Sequence, residues 1–177
     1  MMGPVEPGRH IVRADLAGTA ALVVSVAVAA LTDAWRTGSV VVALVLFGLG
    51  VFAFIWAYFS AVERSRSDEI GVANLFLLTG PTAPARVKRT MSAALAIQVV
   101  VGLGGAMIGF ARIEGDEPNL LAFGILVPMF GIGLNGLWAS RHGTYGQRLE
   151  RRRAPDTGGS PEVTPPDHEM EQNAPHG

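Results

Sequence analysis

Four histidines, His10, His142, His168 and His176, are the side chains best suited to hold a metal or shuttle a proton near neutral pH. All four fall in polar segments, and His168 and His176 sit in an acidic, proline-rich tail where no metal site is expected. Cysteine is absent, which removes disulfides and thiolate ligands. No H-E-x-x-H, phosphate-loop or G-x-S-x-G pattern occurs. Gly102-Leu103-Gly104-Gly105 lacks the spacing and the strand-to-helix context of a dinucleotide fingerprint. No catalytic residue, metal or cofactor is therefore expected, and the chain does not read as an enzyme.

Two amides stand apart. Gln98 and Asn135 are the most polar residues in four otherwise uncharged windows. Each has two chemistries open to it. A hydrogen bond to a neighbouring helix in lipid is worth roughly 0.6–2 kcal/mol; the alternative is to line a permeation path. Multi-pass enzymes and pumps usually place ionisable residues inside their spans. These windows hold none, and Asp15 reads as the polar boundary of the first. The small multidrug exporters rely on a membrane-embedded glutamate that this chain lacks.

The elements that must position these residues follow from charge segregation. Ser39–Val62 is apolar on every side, and its 24 residues would span roughly 36 Å as a helix, enough for a bilayer core of about 30 Å. Spans are predicted over about 14–33, 39–62, 90–111 and 118–140, within a membrane domain of 12–140. A loose N-terminal tail over 1–11 precedes them. In the first span Ala17, Ala21, Ser25 and Ala29 recur every four residues as a small-residue packing ridge. The same run, with Ala27-Val28-Ala29, has signal-peptide character, but no soluble domain follows it. Gly105 and Gly109 form a G-x-x-x-G packing face in the third span. Pro128 should kink the fourth.

Between the second and third spans the polar burst Glu63–Glu69 precedes the short apolar run Ile70–Leu78. Ser65 and Asp68 suit a capping box, and an interfacial helix over about 68–79 is expected, with a re-entrant segment over 70–78 as the alternative. Its charged turn, Arg64, Arg66, Asp68 and Glu69, is a candidate partner-docking surface. Residues 141–177 open with a basic juxtamembrane segment suited to anionic head groups. They continue as an acidic, proline-rich tail of disordered composition. With both termini cytoplasmic, twelve basic residues lie inside and two, Arg36 and Arg112, outside. Phe47-Gly48-Leu49-Gly50 before Trp56-Ala57 resembles Phe130-Gly131-Ile132-Gly133 before Trp138-Ala139. Chance similarity explains this more simply than a parallel repeat of two hairpins.

Residues 61–80, AVERSRSDEIGVANLFLLTG, and 124–148, GILVPMFGIGLNGLWASRHGTYGQR, carry a resemblance. Over most of residues 40–148 the chain resembles uncharacterised four-span integral membrane proteins of actinobacteria. It departs from the group's Phe-Pro at Tyr145-Gly146. The resemblance implies location and topology, and no catalytic residue.

The expected fold is thus all-α: a four-helix transmembrane bundle with a cytoplasmic interfacial helix and a disordered C-terminal tail. The expected role is a non-catalytic subunit or assembly protein of the cell membrane. Its partners would be the lipid bilayer and either a second copy of the chain or another membrane protein. Nucleic acid is not expected, because the arginines lack aromatic interleaving and a recognition fold. The alternative is a component of a small-molecule or ion transporter or channel.

Overall fold

The computed structural model describes residues 8–65, 68–112 and 118–147. Arg66 and the expected acidic tail lie outside the described residues. The described chain is all-α apart from one two-residue ladder. Helix α1 spans Arg9–Leu31, α2 Arg36–Arg64, α3 Val72–Phe76, α4 Ala85–Phe110 and α5 Pro128–His142. A 3-10 turn, Asp33–Trp35, joins α1 to α2, and a 3-10 helix, Leu120–Leu126, leads into α5. Among the described residues four segments are long and apolar enough to cross a membrane: Arg9–Leu31, Asp33–Arg64, Ala85–Phe110 and Leu120–His142. The architecture is compatible with a multi-pass membrane protein.

Three of the helices extend beyond the predicted windows. α1, α2 and α4 begin or end in arginine-bearing turns, because an uncharged window measures the part fit for lipid rather than the helix. The spans alternate in direction. α1 and α4 run together, joined at their far ends by Arg112 donating to the Ala30 carbonyl. α2 and α5 run the other way, joined at their ends by Arg64 Nη1 to Ser140 O at 3.4 Å. One end of the bundle therefore gathers Arg9, Arg64, Ala85 and His142, and is called the terminal end below.

The α2–α5 seam is made of small residues. The inward face of α2 steps through Ser39, Ala43, Leu46, Gly50, Ala53, Ala57 and Ala61 at intervals of three and four, a stripe that keeps to one side of a helix. Gly50 lies against the backbone of α5: a side-chain carbon added there would come within 2.5 Å of Phe130 Cα. One added at Gly133 would collide with the Gly50 carbonyl. Such proximity lets dispersion forces hold the helices where lipid removes the hydrophobic drive. Trp138, Met91, Leu22 and Val127 fill the remaining core.

Pro128 breaks the fourth span as expected. With no N–H to donate, it sits at the first position of α5, and Phe130 N bonds Val127 O at 2.7 Å in a 3-10 step. The first half of the span lies on α4 and the second half on α2.

Several expectations change. The helix expected over 68–79 is five residues long, capped by extended Gly71. Leu75, Phe76 and Leu78 are buried in the bundle, and Phe76 stacks on Phe54 at 4.3 Å. The Ser65–Asp68 capping box does not form. Ser65 closes α2 and donates to Val62 O, while Asp68–Glu69 is a strand, β1, paired antiparallel with Gly146–Gln147, β2. The first residues after span four are thus ordered: α5 continues to His142, and β2 follows. In α1 the small-residue ridge splits. Ser25 and Ala29 are buried, but Ala17 and Ala21 face out. Four residues turn a helix by about 400°, so an every-fourth ridge drifts off the inward face. The two Phe-Gly motifs sit in unlike settings: nothing lies within 4 Å of a carbon added at Gly48, whereas Gly131 is packed against Gln98. Trp56 is half exposed and Trp138 is buried.

Candidate functional site

The polar groups of the spans converge where α1, α4 and the start of α5 meet. Asp15 and Thr19 stand one turn apart on α1, so both face the same way. Gln98 faces them from the middle of α4. Its Nε2 donates to Asp15 Oδ1 at 3.1 Å and to Thr19 Oγ1 at 2.8 Å. Its Oε1 accepts the Gly131 N–H of α5 at 3.1 Å. These partners fix the amide orientation, since a flip would set oxygen against carboxylate and N–H against N–H. Thr19 Oγ1 in turn donates to the Asp15 carbonyl at 2.8 Å. One side chain thus binds three spans.

Gly131 makes this approach feasible. A carbon added there would lie 2.6 Å from Gln98 Oε1, so any larger residue would push Gln98 away. Gly18, beside Thr19, similarly gives room to the Phe130 ring. The centre is closed: Asp15 and Gln98 are 0% exposed. Asp15 Oδ2 is buried with no hydrogen-bond partner among the described residues.

Asn135, the second predicted amide, belongs to a separate contact nearer the terminal end. Its Nδ2 donates to Phe76 O at 3.1 Å. That carbonyl ends α3, where helical partners run out. Gly136 beside it leaves space for the Phe76 ring, 2.6 Å from where a carbon would stand. Asn135 therefore latches α3 onto α5. Gln98 and Asn135 thus have separate partners.

Gly105 and Gly109 face the interior of the same chain. A carbon at Gly105 would sit 3.1 Å from Val26 Cγ1, and one at Gly109 would strike Asn119. Asn119 Nδ2 bonds Ala106 O at 2.9 Å, and its Oδ1 accepts from Ala122 N at 3.2 Å, capping the 3-10 helix. The G-x-x-x-G face thus packs within the monomer.

Of the docking candidates, Arg64 reaches Ser140 O and lies over the Tyr145 ring, 5.2 Å from its centroid. Asp68 and Glu69 carry the β1 backbone pairing. Thr144 adds two bonds to the loop, N to Thr82 O at 3.1 Å and Oγ1 to Pro81 O at 2.7 Å. The loop after α2 and the segment after α5 are thereby stitched into one platform.

The residue that sequence reasoning missed is Asp15. Its signal was available: Asp15, Thr19, Leu22, Val26 and Ala29 share one helical face at steps of three and four, and a carboxylate on such a face points inward. Among the described residues no group of three or more histidine or acidic side chains is placed to hold a metal. No protein family matches the chain, and no curated protein or solved structure is detectably similar to it.

Proposed function

We propose that this is a non-enzymatic, multi-pass protein of the cell membrane, with both termini cytoplasmic, that acts as a subunit or assembly partner of other membrane proteins or of its own copies. The observation that carries this reading is the platform at the terminal end. Asn135 on Phe76, Thr144 on Pro81 and Thr82, and the β1–β2 ladder hold an ordered surface outside the spans. In this reading the Asp15–Gln98 centre is a clasp that fixes the bundle and so the platform. The outward faces of the helices carry large apolar side chains such as Phe52, Phe59 and Met107, suited to lipid.

The test is capture from native membranes after cross-linking. Wild-type protein should bring down a fixed partner or itself, and Asp68→Lys with Glu69→Lys should lose it while inserting normally. A monodisperse monomer without cross-links would contradict the reading. Orientation is checked with single cysteines, since the chain has none. His10→Cys should label only from the cytoplasm and Thr37→Cys only from outside; both positions are exposed.

A transporter component is the second reading. Asp15 Oδ2 and Asn135 Oδ1 are both buried without a partner among the described residues, and the fourth span changes from 3-10 to α-helix at Pro128, three residues before the Gly131 that Gln98 holds. Intramembrane carboxylates and discontinuous helices are recurrent features of transport sites. Purified protein in liposomes should then show flux that Gln98→Leu and Asn135→Leu reduce. No flux of ions, lipids or cationic drugs would remove its support.

A further inference from the structure

We infer that residues 72–78 form a hinged lid, which closes over Asn135 of α5 and opens while the four long spans stay folded. The inference depends on neither a partner nor transport.

The segment holds its shape only while docked. α3 has five residues, far fewer than an isolated helix needs to persist, and no side chain caps its start. The bonds from Leu75 N to Gly71 O and from Leu77 N to Ala73 O stay inside the segment. What fixes it to the bundle is a small set of contacts. Leu75, Phe76 and Leu78 are buried, and Phe76 stacks on Phe54 of α2. Asn135 Nδ2 donates to the Phe76 carbonyl at 3.1 Å. Elsewhere the fit is loose: Val72 and Leu77 are exposed, and a cavity of about 190 Å³ lies between α3 and α2, lined by Tyr58, Ala61, Val72 and Leu75 among others.

Both ends of the lid are anchored, and both carry a backbone able to turn. Before it, Asp68–Glu69 pairs with Gly146–Gln147; after it, Thr82 O accepts the Thr144 N–H. Gly71 stands between the first anchor and α3, at φ −85° and ψ 144°. Leu78 and Gly80 stand between α3 and the second, with φ of 52° and 65°. Glycine adopts a left-handed conformation freely and leucine does not. Among the described residues Leu78 is the one non-glycine residue with positive φ, and it is fully buried. Its docked side chain therefore holds a backbone that relaxes on release. Asn74 sits between the hinges: its Oδ1 accepts from Thr79 Oγ1 at 2.5 Å, and a carbon added at Gly71 or Gly80 would meet only Asn74, at 3.5 and 3.8 Å. What the lid covers is polar. Asn135 is buried, and its Oδ1 has no partner among the described residues. Opening withdraws the Phe76 carbonyl from Asn135 Nδ2 and the Phe76 ring from beside Gly136. It bares an amide whose donor and acceptor are both unmet, so the lid governs access to Asn135 from the terminal end.

The experiment is amide hydrogen exchange on the full chain in mild detergent, read by mass spectrometry on peptides covering 72–78, with 53–61 of α2 and 94–106 of α4 as controls. Wild-type lid amides should exchange on the order of 100-fold faster than either control, through local opening, yet slower than an unstructured peptide. Two single-methyl changes should then act in opposite directions. Gly80→Ala forces a side chain into the left-handed φ of the shut state and should speed lid exchange roughly 5-fold. Gly71→Ala suits the φ already present, restricts only the open chain, and should slow it roughly 2-fold. Asn135→Leu removes the latch and should speed it roughly 5-fold. The controls should not move in any variant. Lid amides that exchange at the rate of the controls would overturn the inference, because the segment would then open only when the bundle unfolds. Lid amides as fast as an unstructured peptide would overturn it too, since there would be no shut state. So would glycine variants that shift exchange in the same direction, or controls that shift together with the lid.

Discussion

The α2–α5 seam and the α1–α4 side are held by opposite means. Along α2–α5 the backbones touch, Gly50 on Phe130 and Gly133 on Gly50, and Arg64 adds a side-chain hydrogen bond at the end. Along α1–α4 Gln98 bridges the helices by hydrogen bonds, and a groove lies beside the bridge. Small residues permit close contact and leave no room for anything else. A polar bridge fixes two helices at a distance and leaves space between them.

This contrast can be broken at either region. The largest effect is expected at Gly133→Leu, whose side chain must enter the space of the Gly50 backbone. Overpacking against backbone that cannot yield should cost about 3 kcal/mol or more, read as loss of the folded band in denaturant titration in detergent. Gln98→Leu should follow, at about 2 kcal/mol, because it leaves the Asp15 carboxyl buried without its donor. Asn135→Leu should cost about 1 kcal/mol. Its effect should be local, with α3 becoming open to proteases while the four spans persist. Gly48→Ala, in the first Phe-Gly motif, should change stability by less than about 1 kcal/mol, and towards gain, since its added carbon meets nothing and alanine favours helix. A loss at Gly48→Ala as large as that at Gly133→Leu would erase the distinction between the packed and open glycines.

The spans were legible because lipid demands long uncharged windows, and each lay within a few residues of its helix. Gln98 and Asn135 were legible as amides that need partners in an apolar setting. Their partners were not, because Asp15 to Gln98 is a contact between distant parts of the chain that no local spacing encodes. Asp15 was concealed by its place at the edge of an uncharged window, where a charge reads as a boundary. The helix in fact begins six residues earlier, at Arg9, so Asp15 lies in its second turn. The short run Ile70–Leu78 misled for a related reason. Its apolar residues suit a membrane surface, but Gly136 and Phe54 provide a place for Phe76 within the bundle. The density of small residues also had two possible meanings, contact with other chains or contact within this one. Only the fold shows Gly105 and Gly109 turned inward.

The claim at the centre of this account is that Asp15 and Gln98 act together as a structural clasp. The direct test is a double-mutant cycle on unfolding free energy in detergent, with Asp15→Leu, Gln98→Leu and both together. A clasp predicts that the pair costs less than the sum of the single changes, by about 1 kcal/mol or more, since the second change removes a group already left without its partner. Additive costs, with each single variant as stable as the wild type, would contradict it.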